Sequence, residues 1–176
     1  MTRDYSKIKL FWGDRLQRLH EDIFDGFDLD ANTLHYLTNI GLPKDLKSLN
    51  RAIEINFYFQ KDRIIKKELG GVSYCVIGDD TGTLFAISIM DNKLYAVDFD
   101  NVIGIDSVCF VNSTIDKFIE TIQLFMEFQN KTQDEDVQEI ELVKLMRTRM
   151  KDIDENSIDD QSTWWGTLAN DPIKDW

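Results

Sequence analysis

The stretch VSYCVIGDDTGTLFAISIMDNKLYAVDFDNVIGIDSVCFV, Val72 to Val111, decides the fold of this chain. It holds four apolar, β-branched and aromatic runs: Val72–Ile77, Thr83–Ile89, Lys93–Phe99 and Ile105–Val111. Turn-forming residues separate them, in Gly78-Asp79-Asp80-Thr81-Gly82, Asp91-Asn92 and Asp100-Asn101. Connections this short join antiparallel neighbours, because a parallel neighbour needs a crossover of about a dozen residues. The centre of the chain is therefore an antiparallel meander.

Upstream, Ile53, Ile55, Phe57 and Phe59 alternate with Glu54, Asn56, Tyr58 and Gln60, the period of a strand with one wet face. Before that the period is helical. Leu10, Phe11, Leu16, Leu19 and Ile23 predict a helix over Ile8–Ile23, and Leu34 and Leu37 a second over Asn32–Ile40. Gly41 stands where a C-terminal cap is wanted, and Pro43 prevents continuation.

Downstream, Ser113 with Asp116 has the spacing of a capping box, and Ile115, Phe118, Ile119, Ile122 and Phe125 make one helix face to about Gln129. That stripe reads as core rather than as a cofactor box. A further helix is expected over Val137–Met150, with Lys144, Arg147, Arg149 and Lys151 complementing the dipole at its end. Asp152 to Gln161 reads as an acidic connector, and Ser162 as the cap of a last helix carrying Trp164, Trp165 and Leu168. Helices, then a run of antiparallel strands, then helices again predict an α+β fold with helices packed mainly on one face of the sheet. We expect one domain over residues 1–176, with a helical C-terminal extension at about 132–176.

The chain has 176 residues, 43% of them hydrophobic, which is enough for a core without disulfides. Cys75 and Cys109 lie in apolar strand runs and match no zinc or redox spacing, so two reduced, buried thiols are expected. The first residues lack the apolar run of a signal peptide, and no segment approaches the length of a membrane span, so a cytoplasmic protein is expected. A formal net charge of −12 argues against nucleic acid and anionic membranes as direct partners. It suits a basic protein partner, and it equally serves solubility.

No motif makes a persuasive enzyme. Asp80-Thr81-Gly82 is the triplet of aspartic proteases, but those enzymes need two carboxylates sharing a proton, and a hairpin turn explains all five residues from Gly78 to Gly82. Asp28, Asp30 and Asn32 open like a calcium loop, yet Thr33 replaces the turn glycine and Asn39 the closing glutamate, so a helix-capping acidic loop is expected. Asp98-Phe99-Asp100 has the spacing of metal–nucleotide motifs without a phosphate-cradling glycine loop. His20 and His35, the two histidines, sit in no recognisable ligand or nucleophile set. No cofactor is implied. Trp164 and Trp165 point about 100° apart on a helix, so one is expected to pack on the domain and the other to be partly exposed.

Three segments together resemble a known family. Leu37-Thr38-Asn39-Ile40-Gly41-Leu42-Pro43 is similar to the "FL…GLP" opening of bacterial SUKH-superfamily immunity proteins, in particular the fourth SUKH family, with Tyr36 where that pattern has Phe. Val76-Ile77-Gly78-Asp79-Asp80 resembles its glycine-bearing strand, and Phe110-Val111-Asn112-Ser113-Thr114-Ile115-Asp116-Lys117-Phe118 resembles its strand-to-helix junction. The resemblance implies a SUKH-like fold and a protein that neutralises a polymorphic or contact-dependent toxin by stoichiometric binding to the toxin domain, often a basic nuclease or deaminase. The alternative it leaves is a SUKH-like scaffold with a non-toxin partner. An aspartate-dependent hydrolase ranks last. As contact residues for a protein partner we expect the carboxylates Asp79, Asp80, Asp98 and Asp100, with Trp164 or Trp165 as an apolar anchor.

Overall fold

The computed structural model describes residues 3–48, 53–80, 82–98, 107–131, 139–158 and 162–170. Its strands are β1 (Leu16–Gln17), β2 (Leu42–Pro43), β3 (Leu46–Lys47), β4 (Glu54–Phe57), β5 (Ile65–Leu69), β6 (Val72–Asp80), β7 (Thr83–Ser88), β8 (Leu94–Asp98) and β9 (Ser107–Asn112). Its α-helices are α1 (Ser6–Trp12), α2 (Ala31–His35), α3 (Ile115–Lys131), α4 (Glu139–Ile153) and α5 (Trp164–Asn170). Among the described residues, β3 to β9 form one seven-stranded sheet in the order β3-β4-β6-β7-β8-β9, with β5 also on β6. Every pairing in it is antiparallel, and β6 to β9 are the expected meander.

Strand alternation divides the sheet into two faces. Cys75, Ile77, Phe85, Ile87, Leu94 and Ala96 point inward and share a buried cluster with Phe118, Ile122 and Phe125 of α3, Met146 and Met150 of α4, and Trp165 of α5. Phe118 stacks on Phe85 with ring centroids 5.4 Å apart. The other face carries its own cluster, Tyr74, Val76, Ala86 and Val97, with Tyr58, Leu69, Val72, Leu84 and Tyr95 packed around it. All of these are strand or loop residues, and among the described residues no helix residue belongs to it. The register sets its rows: Asn56, Asp79, Leu84, Val97 and Val108 lie side by side, as do Ile65, Val76, Ala86, Tyr95 and Phe110. The fold is thus α+β with its helices on one face. No helix among the described residues is long and apolar enough to cross a membrane.

Four local expectations need correction. The predicted helix over Ile8–Ile23 stops at Trp12, because Gly13 takes φ +51° and the chain turns through a 3-10 turn into β1. Ile8 and Trp12, four residues apart, are its buried stripe, while Leu10 is 88% exposed. β1 then pairs with β2, Leu16 opposite Pro43 and Gln17 opposite Leu42. Secondly, β5 was not expected; the turn at Gly70 and Gly71, both at positive φ, folds it onto β6. Thirdly, β6 runs on through Gly78, Asp79 and Asp80, so the turn before β7 is two residues rather than five. Fourthly, the Ser113–Asp116 capping box does not form. The Ser113 hydroxyl donates to Asp154 at 2.8 Å, and Asp116 accepts from Arg3.

Other expectations hold. The second helix runs through α2 and a π-helical turn over Tyr36–Ile40 to Gly41. Asp30 caps it, accepting from the Thr33 amide at 2.7 Å, as the acidic-loop reading expected. Both histidines are exposed, and Cys75 is fully buried as expected; Cys109, expected to be buried too, is half-buried.

Candidate functional site

The carboxylates at residues 79, 80 and 98 gather at one end of the sheet. β6 and β8 both run toward that end, and Asp80 pairs with Thr83 across the β6–β7 hairpin. Asp98 sits one residue beyond the Leu84–Val97 pair, on the far side of β7. Two strand spacings put Asp80 and Asp98 about 10 Å apart. Asp100 lies outside the described residues.

Asp79 is the most tightly positioned of the group. A register shift between Val76 and Gly78 bulges β6 beside it. Gly78 lets β4 approach closely, because a Cβ there would lie 2.9 Å from the Asn56 carbonyl oxygen. With β4 so close, the Tyr58 hydroxyl donates to Asp79 Oδ2 at 2.6 Å, and Asn56 Nδ2 donates to Oδ1 at 3.4 Å. Burial raises the Tyr58 pKa, and the bond to Asp79 raises it further. The Arg63 guanidinium lies over the Tyr58 ring, 4.6 Å from its centroid, and acts against that rise. The opposite end of the same face repeats the arrangement. Tyr95 donates to Asp91 Oδ2 at 3.0 Å, and burial followed by that bond pushes the Tyr95 hydroxyl up to about 12. Asp91 itself is ion-paired with Lys93 at 3.3 Å.

The tryptophans lie elsewhere. α5 begins at Trp164 because Thr163, rather than Ser162, caps it: the Thr163 hydroxyl accepts from the Gly166 amide at 3.0 Å. Trp165 is fully buried, and its indole N–H donates to Asn112 Oδ1 at 2.8 Å. Trp164 is half-buried, edge-on to Phe85 at 5.3 Å on the inner, helix-bearing face. Asp79, by contrast, is in the outer-face row with Leu84 and Val97. The expected contact residues therefore do not form one patch. Trp165 has no surface to offer, and Trp164 is separated from Asp79 by the thickness of the sheet.

Sequence reasoning missed a highly connected buried polar group. Asp154, read as part of an acidic connector, has a side chain with 0% exposure. It accepts from the Ser113 amide at 2.6 Å, the Ser113 hydroxyl at 2.8 Å, Asn112 Nδ2 at 3.0 Å and Lys117 Nζ at 3.4 Å. Burial by itself would raise its pKa, but the two Ser113 bonds, Asn112 and Lys117 outweigh it, and the carboxyl ends below its ordinary value. This network ties the end of α4 to the β9–α3 junction, and Asn112 passes the connection on to Trp165. It is an organising centre with no open coordination, so its work is structural. The sequence signal for it is apolar spacing, with Ile153 and Ile158 flanking Asp154 inside an otherwise acidic run.

The junction that Asp154 holds is the segment from Phe110 to Phe118 on which the family resemblance leaned most. A comparison with curated proteins gave no match, and neither did one with solved structures. The family model of the SUKH-4 immunity protein matches residues 6–171. The match takes in the N-terminal helix, the whole sheet and both C-terminal helices. The chain belongs to the SUKH-4 immunity protein family.

Proposed function

We propose that this immunity protein neutralises a cognate polymorphic or contact-dependent toxin by stoichiometric, non-catalytic binding to the toxin domain, in the cytoplasm where such a toxin acts. The observation that carries the proposal is the family match over residues 6–171. The net charge of −12 supports a basic domain as the partner, of the nuclease or deaminase kind, because such enzymes carry the positive surface that holds nucleic acid. The sheet end bearing Asp80 and Asp98, with Asp100 beyond the described residues, is where long-range attraction would first be felt. Of Trp164 and Trp165, Trp164 is the one with surface left to contribute.

The test is co-expression in bacteria of this chain with the toxin domain encoded at its own locus. Survival, with a complex of fixed stoichiometry on co-purification, is the expected result. Cell death without a complex, from soluble and folded chain, would sink the pairing and move the weight to a SUKH-like scaffold with a non-toxin partner.

A further inference from the structure

We infer that the toxin domain docks on the outer face of the sheet, against the tyrosine-paved surface between Ile65 and Val108, and places a cationic side chain on Asp79. This inference rests on the neutralisation reading above and adds to it the surface and the chemistry of the contact.

The surface follows from the register. Ile65 on β5 and Val108 on β9 are four strand spacings apart, about 19 Å, which is the scale of a standard protein–protein interface. They are 41% and 44% exposed, apolar residues on opposite margins of one face. Between these margins Tyr74, Val76, Ala86 and Val97 form a small buried core, and what the face presents to solvent is the half-buried Tyr58, Leu84, Tyr95 and, on β9 itself, Phe110, whose ring centroid is 5.9 Å from that of Tyr95. Among the described residues no helix side chain packs on this face, whereas the inner face is filled by α3, α4 and α5. Among the described residues the other strongly exposed apolar side chains are Leu10 on α1, Met90 between β7 and β8, and Leu145 on α4.

The face is also preorganised. Tyr58 and Tyr95 are each held by a carboxylate, Asp79 at one end and Asp91 at the other. Fixed aromatic rings offer contact area at small entropic cost, and tyrosine is enriched among residues that dominate interface energetics. The two carboxylates differ in what they have left to give. Asp91 already has its ion pair with Lys93. Asp79 accepts from two neutral donors, Tyr58 and Asn56, which occupy part of a carboxylate's acceptor capacity. A lysine or arginine from a basic partner completes it with a charge-assisted bond, and the chain's charge of −12 selects that partner over an acidic one.

The experiment measures binding of the locus-encoded toxin domain, in a catalytically dead form, to the full-length chain by calorimetry. The variants are Ile65→Arg, Val108→Arg and Asp79→Asn, with Leu145→Arg on α4 as a control for the helical side. Far-UV circular dichroism and melting confirm that each folds. The expected result is a loss of affinity of roughly tenfold or more for each outer-face variant, with wild-type affinity for Leu145→Arg. Wild-type binding that survives both Ile65→Arg and Val108→Arg would overturn the surface while leaving neutralisation intact. A wild-type chain that does not bind the domain at all overturns the neutralisation reading, and this inference with it. A dimer of the chain alone that Val108→Arg dissociates would assign the face to a second copy and equally overturn the proposal.

Discussion

At the scale of single residues, two buried polar groups make opposite predictions. The Asp154 carboxylate meets four donors, so removing it takes that partner from the fully buried Asn112 amide and from the half-buried Ser113 and Lys117. Asp154→Ala is expected to cost about 3 kcal/mol in a urea titration. The same group should make stability depend on acid. Its folded-state pKa lies below the unfolded value of about 3.9, so its contribution is fully present above that pH and is lost as pH falls through the folded value. Asp154→Asn should therefore flatten the acid limb of the stability curve, and an unchanged limb would rule out the linkage. Tyr36 is the reverse case. It is 1% exposed, and its hydroxyl finds no hydrogen-bond partner among the described residues. Tyr36→Phe removes a desolvated group that receives nothing in return, so it should raise stability by about 1 kcal/mol. A clear loss of stability in the melt would show that the hydroxyl has a partner after all. Phenylalanine is also what the family's opening pattern carries at this place.

At the scale of elements, the close approach of β1 to the end of the α2 segment depends on Gly41. Its φ is +97°, and a Cβ would lie 2.4 Å from the Gln17 carbonyl oxygen, a backbone atom that can yield only by moving β1. Gly26 has a similar φ of +87° with open space around it. Gly26→Ala is then expected to cost about 1 kcal/mol of left-handed strain, and Gly41→Ala about 3 kcal/mol, strain and steric conflict together. Equal costs in denaturant titrations would refute the steric part. The elements legible in the sequence were those whose order is local. β6 to β9 announce themselves by apolar runs and turns, and α3 by its stripe from Ile115 to Phe125. β5 was illegible because Ile65-Lys66-Lys67-Glu68-Leu69 has no alternation; it is a strand because Gly70 and Gly71 fold it onto β6. Asp79 read as a turn residue because the bulge and the pairing with Asn56 that extend β6 are long-range facts. The Asp154 network was hidden for the same reason, since its partners are about forty positions away.

For the whole molecule, charge and apolar contact should separate in the kinetics of association. A chain of net charge −12 approaching a basic domain is guided over distances comparable to the Debye length, about 10 Å at 0.1 M salt and about 3 Å at 1 M. Contacts made after docking, on tyrosine rings and aliphatic side chains, are short-ranged and indifferent to that screening. The association rate should accordingly fall about tenfold or more between low and high salt, while dissociation changes little. Reversing the sheet-end charge with Asp98→Lys should lower the association rate at low salt and shallow its salt slope, and leave dissociation close to wild type. Val108→Arg on the outer face should do the opposite and act mainly on dissociation. Stopped-flow mixing with the toxin domain across a salt series reads both rates. A salt-independent association rate would mean that the acidity serves solubility alone, and partner choice would then rest entirely on the shape of the docking face.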